Sequence, residues 1–175
     1  MPLFLDACAF VKRYLDEGVS TERMQDISGR FKDWGGFVVS GFVEPEMVAA
    51  FTKHARQKSS GTLHARSRRA HAKVLAAFRQ DFASDAFSVV PLSRTVASEA
   101  AILLEAHPEY TIGGGDAVHL ATAIAVRPVV NGPLVFVTAD QALEKAAKAQ
   151  GFDTLNPLHH GPEALEALFG TTHQA

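Results

Sequence analysis

The sequence predicts an α/β fold with a mostly parallel central sheet flanked by helices. Three observations point there. Short apolar runs alternate along the chain with stretches of helical spacing. The runs are too few for an eight-stranded barrel, which leaves an open sheet. Asp6 and Asp140 stand where a strand gives way to a helix, the end at which open parallel sheets hold their ligands.

Leu3-Phe4-Leu5 is the first apolar run, and Asp6 ends it. From Ala7 to Asp16 the spacing is helical, with Phe10, Val11, Tyr14 and Leu15 on one side. A second helix is expected from Ser20 to about Asp33, stopping before Gly35-Gly36. Phe37-Val38-Val39 forms the next strand, ended by Ser40. Helical patterns follow from Phe42 to about Gln57 and from about Thr62 to Phe82. Ser88 to Pro91 reads as a strand. Ser93 caps a helix through about Ala106, which Pro108 ends. Gly113-Gly114-Gly115 reads as a flexible connector feeding a helix from Asp116 to about Val126. Leu134 to Val137 is the clearest strand, followed by a helix from Asp140 to about Gln150. Phe152 to Leu155 adds an edge strand, and a short helix is expected around Ala164–Phe169 in a frayed tail.

The chain's 175 residues suit one domain, and 47% hydrophobic residues suffice for a sizeable core. The longest apolar run, Ala121 to Val130, is broken by Arg127 and Pro128 and is too short for a membrane span. The first residues lack the basic segment and cleavage site of a signal peptide. The single cysteine, Cys8, cannot form an internal disulfide. Together these imply a cytoplasmic protein with no membrane association. A net charge of −2 means that a polyanionic partner must be met by a local basic patch.

Four carboxylates carry the chemistry: Asp6, Glu46, Asp116 and Asp140. Singly, each aspartate reads equally as a helix cap. Glu46 differs, because Phe42, Val43, Ala49, Ala50 and Phe51 surround it at helical spacings and turn it towards the buried face. An unpaired buried carboxylate is costly. Among basic residues, Lys12 and Arg13 follow Asp6 closely enough to steady a carboxylate or a phosphate. Four anions near one point call for a cation, and Mg²⁺ or Mn²⁺ suits hard oxygen ligands.

The segment Leu3 to Leu15 resembles the opening of PIN-domain proteins of the bacterial VapC toxin type. Ser40 to Ala50 is similar to that family's second segment, in which the acidic ligand follows the strand-ending serine by six positions; this selects Glu46 over Glu44. Gly115-Asp116-Ala117-Val118-His119 resembles the third motif, and Phe136-Val137-Thr138-Ala139-Asp140 the fourth. The resemblance runs in family order from residue 3 to about residue 156. It implies a three-layer PIN-like nuclease domain over residues 1–157, with a helical hairpin at about 42–84 and a C-terminal tail at 158–175. It further implies a Mg²⁺- or Mn²⁺-dependent endoribonuclease with RNA as substrate, 5′-phosphate and 3′-hydroxyl products, an antitoxin partner and a homodimer. Ser40 and Thr138 are the expected hydrogen-bond donors around the ligands.

The pattern is broken at Ala7-Cys8, where small hydroxylated residues are usual, and Cys8 reads as a small buried packing residue. His119, one helical turn beyond Asp116, reads as a packing or orienting residue.

Between Glu46 and Asp81 there is no acidic residue, while Lys53, Arg56, Lys58, Arg66, Arg68, Arg69 and Lys73 crowd in, with His54, His64 and His71 among them. Such a stretch suits the phosphates of a nucleic acid or an acidic antitoxin segment. Two rivals remain. A haloacid-dehalogenase-like phosphatase needs a second aspartate two residues after the first, where Cys8 stands. A non-catalytic RNA- or partner-binding domain on the same scaffold would not need all four ligands.

Overall fold

The computed structural model describes residues 2–16, 18–30, 32–33, 35–57 and 65–172; nothing is described of the side chains of residues 65–66 and 169–172. Five strands form one all-parallel sheet: β1 (Leu3–Leu5), β2 (Phe37–Ser40), β3 (Phe87–Val90), β4 (Val135–Val137) and β5 (Asp153–Leu155). Their spatial order is β3-β2-β1-β4-β5. The chain winds outward from β1 through β2 to β3, then returns to the other side of β1 for β4 and β5. The reversal falls between β1 and β4, and at such a switch point the connections diverge and leave a crevice at the carboxyl ends.

Strand alternation divides the core into two layers. Leu3, Leu5, Phe37, Val39, Val135 and Val137 face one side. There they meet α1 (Ala7–Val11), α2 (Val19–Gly29), α3 (Val43–Gln57), α4 (Ala65–Phe82) and α8 (Pro162–Thr172). Phe4, Val38 and Phe136 face the other side, against α6 (Gly114–Val126) and α7 (Gln141–Ala149). Phe4 and Phe136 stack at 5.2 Å between centroids, and α5 (Arg94–Ala106) packs outside α6 through Val96 and Ala100. Each fully buried phenylalanine contributes about 2–3 kcal/mol of transfer free energy, so paired rings on both faces fix the sheet between its helical layers. Helix, sheet, helix is the expected three-layer architecture.

Several boundaries differ from expectation. The first helix stops at Val11 and gives way to turns, since residues 12–14 close with three-residue-reach bonds such as Lys12 N–H to Ala9 O. The second ends at Gly29 rather than Asp33. Helix α6 begins at Gly114, so Gly114 and Gly115 are helical and not a flexible connector. A 3-10 turn at Pro108–Tyr110 follows α5. The C-terminal segment is no loose tail: Leu165 is 0% exposed in the same core layer as Leu3 and Phe10, so packing does not end at residue 157. The apolar side of a helix that looked frayed is buried by α2 and the sheet. Among the described residues no helix is long and apolar enough to cross a membrane.

Candidate active site

All four carboxylates belong to elements that start at the carboxyl edge of the sheet. Asp6 follows β1 directly and caps α1, its Oδ1 accepting the Ala9 N–H at 2.7 Å. Its Oδ2 accepts the hydroxyl of Thr138 at 2.6 Å. That bond crosses the switch point, because Thr138 follows β4. The same Thr138 oxygen accepts the Asp140 N–H at 3.0 Å, so one hydroxyl ties both acidic residues to the crevice. Asp140 caps α7, its Oδ1 accepting from Ala142 at 2.7 Å and Leu143 at 2.9 Å. One oxygen thus serves the helix while Oδ2 takes no hydrogen bond among the described residues.

Asp116 does not precede its helix. It is the third residue of α6, and its Oδ2 accepts the Gly113 N–H at 2.9 Å. Glu46 lies in the first turn of α3, partly buried with its side chain 30% exposed, whereas Glu44 is exposed. Glu46 Oε2 lies 2.6 Å from His119 Nε2. Ser40 is fully buried under this end of the sheet, accepting the Phe42 N–H and lying 3.3 Å from the Thr122 hydroxyl. It supports the start of α3 and, among the described residues, hydrogen-bonds no carboxylate.

The electrostatics follow from this crowding. Asp6 is 1% exposed, and burial pushes its carboxyl up to about 6; His119, Thr138 and the Ala9 amide pull it down, and Asp116 adds to the rise. Cys8 is exposed, contrary to the packing role expected of it. Desolvation, followed by the charges of Asp6, Asp116, Asp140 and Glu46, pushes its thiol up to about 12.

Two basic residues were expected here. Lys12 is buried and borders a hollow with Cys8 and Asp140. Arg13 turns away: its Nε donates to Asp81 Oδ2 on α4 at 2.9 Å, where the Tyr14 hydroxyl also donates. It steadies a carboxylate, but not one of the four, because the chain leaves α1 in turns that swing residue 13 towards α4. The basic stretch lies on α3 and α4, with Lys53, Arg56, Arg68, Arg69 and Lys73 exposed. Lys58, His64 and the side chain of Arg66 lie outside what is described. His71 reaches Thr52 at 3.3 Å and joins the two helices rather than facing outward.

Oxygen donors of this kind suit a hard divalent cation. The carboxylates keep lone pairs beyond their present bonds, those of Asp140 on Oδ2, and burial, with Asp116 as a lesser cause, raises the carboxyl of Asp6. Among the described residues no three His, Cys, Asp or Glu side chains form a group that could hold a metal ion. Glu46 leans on His119, and Asp140 and Asp116 lean on backbone N–H groups. Sequence reasoning did not find the His119–Glu46 contact or the close approach of Gly115 to Glu46 (73 and 69 positions apart in the chain), for which no local pattern exists.

Known structures share this arrangement of strands and helices. VapC20 of Mycobacterium tuberculosis, described as a Sarcin-Ricin loop cleaving toxin, superposes with a TM-score of 0.62 at 16% identity, over 89% of this chain and 99% of that one. The chain has the PIN-domain fold. A FitAB structure bound to an IR36 DNA fragment matches at 0.61 and 17% identity, over 90% of this chain and 96% of that one. VapBC2 of Rickettsia felis, bound to a DNA fragment from their promoter, matches this PIN fold at 0.58 and 14% identity, over 89% and 98%. No family model and no curated protein matches the sequence.

Proposed function

We propose that this PIN-fold chain is a Mg²⁺- or Mn²⁺-dependent endoribonuclease and the toxin of a toxin–antitoxin pair, working as a homodimer in the cytoplasm. What supports the reading is that one Thr138 hydroxyl joins Asp6 to Asp140 at the β1/β4 switch point and that Glu46 meets α6 at His119 and at Gly115, next to Asp116, in a fold shared with a toxin described as cleaving the Sarcin-Ricin loop.

In this reading a bound divalent cation supplies an activated water and neutralises charge on the phosphate. The chain's own residues prepare for that. Asp6 is held by the Ala9 amide and the Thr138 hydroxyl, which fix the orientation of its carboxylate. Thr138 keeps Asp140 in register with Asp6 through the N–H it accepts. Lys53 is seven residues beyond Glu46 on α3, thus on the same helix face and about 10 Å further along the axis. It is exposed, as are Arg56, Arg68, Arg69 and Lys73, and the row suits the backbone of an RNA entering the crevice. The DNA-bound VapBC and FitAB relatives support the antitoxin reading.

The test is cleavage of a structured and a single-stranded RNA by purified protein, with Mg²⁺, with Mn²⁺ and with chelator. Cleavage should need the cation and be lost in Asp6→Asn. Equal cleavage by Asp6→Asn sinks the proposal, and RNA binding without turnover in any metal favours a non-catalytic binding domain.

A further inference from the structure

The four carboxylates are not anchored alike. Asp6, Asp116 and Asp140 each accept a backbone N–H, from Ala9, from Gly113 and from Ala142 with Leu143. Glu46 accepts none among the described residues. It also has the longest side chain of the four, hence the most rotamer freedom to lose. Its carboxylate ends instead in a seat on α6. Gly115 and His119 are four positions apart, so they stack on one helix face. His119 Nε2 meets Oε2 at 2.6 Å. On the other oxygen the glycine makes room, since a Cβ at Gly115 would fall 2.8 Å from Oε1 and 3.3 Å from Phe42 Cε1.

The imidazole is built into the protein for this one polar contact. It is 1% exposed, with Phe4 and Phe42 rings at 6.5 and 6.2 Å between centroids. Its Nδ1 is buried with no hydrogen-bond partner among the described residues. A ring kept only for packing would do better as leucine, because an orphaned buried nitrogen costs free energy. The contact with Glu46 offsets that cost.

We propose that His119 is the positioning residue of Glu46, with Gly115 as the floor of its seat, and that this pair sets the affinity of the carboxylate cluster for a divalent cation. The inference rests on the metal-site reading above. Glutamine places its amide nitrogen about as far from Cβ as histidine Nε2, asparagine stops short, and leucine fills the space without a donor. The probe is Mn²⁺ alone, titrated calorimetrically into the full chain, alongside RNA cleavage. His119→Asn and His119→Leu should weaken Mn²⁺ binding roughly 10–100-fold, the range for residues that orient a ligand, and lower kcat with the KM for RNA unchanged. His119→Gln should retain most of both. Gly115→Ala, which adds only a methyl group at a helical position, should fold normally and weaken Mn²⁺ binding by displacing Glu46. Mn²⁺ binding by His119→Leu equal to wild type, or His119→Gln as weak as His119→Asn, overturns the inference. If leucine prevents folding, the glutamine–asparagine pair and Gly115→Ala decide. A wild-type chain that binds no Mn²⁺ overturns the metal-site reading itself, a result distinct from equal binding by wild type and variants.

Discussion

Replacing Asp6 by asparagine should make the metal-free protein more stable while removing its activity. Burial holds the Asp6 carboxyl at about 6 against an ordinary 3.8. Keeping it ionised in the fold at pH 7 therefore costs about 3 kcal/mol relative to the unfolded chain. The fold favours the protonated form, so the cost is absent below pH 3.8, grows as pH rises towards 6, and is complete above that. Asparagine retains an oxygen for the Ala9 N–H and remains a good cap. Its amide cannot accept the Thr138 hydroxyl proton, which returns about 1 kcal/mol of the gain. The net is about 2 kcal/mol, or roughly 4–8 °C in Tm for a chain of this size. Thermal melting in chelator at pH 7.5 and pH 4.5 measures it: Asp6→Asn should melt higher at pH 7.5, and the difference should shrink at pH 4.5. Saturating Mn²⁺ should reverse the order by stabilising wild type alone. Asp6→Asn melting below wild type in chelator at pH 7.5, or a gain independent of pH, refutes the reasoning.

Thr138→Val keeps the shape but strips Asp6 Oδ2 and the Asp140 N–H of their shared partner. It should lower stability by about 1–3 kcal/mol and raise the Asp6 carboxyl further, measured by melting and by the pH dependence of Mn²⁺ binding. Asp81→Ala breaks the half-exposed pair with Arg13 and the Tyr14 bond; Tm should fall by a few degrees, about 1 kcal/mol or less for the ion pair, while cleavage of RNA is unchanged. Glutamine at Lys53, Arg56, Arg68 or Arg69 should each reduce the slope of log affinity for RNA against log salt by about 0.7–0.9, read from binding isotherms at several salt concentrations.

The order of elements was legible because each strand is a short apolar run closed by a polar residue, and both layers follow from strict alternation at Leu3, Phe4 and Leu5. Spacing alone did not separate Glu46 from Glu44; the resemblance chose it, by its place six positions beyond Ser40, and in the structure Glu46 is partly buried and Glu44 exposed. What the sequence hid was set by contacts between distant segments. Arg13 stands two turns from Asp6 on an ideal helix, but α1 unwinds after Val11 and carries it to Asp81, 68 positions away. Gly114 and Gly115 read as a connector because glycine disfavours helices, whereas Gly115 is helical and its missing side chain admits Glu46. Cys8, small and apolar, reads as buried, yet it is exposed. Leu165 has only a short periodic stretch around it, and its burial comes from α2 and the sheet.

The most direct test of the account is the location of the cation. A crystal structure grown with Mn²⁺, read by anomalous scattering, should show density bounded by Asp6, Asp116 and Asp140 with Glu46 alongside, and none after Asp6→Asn. Mn²⁺ bound away from the β1/β4 switch point, in a protein that still cleaves RNA, contradicts it.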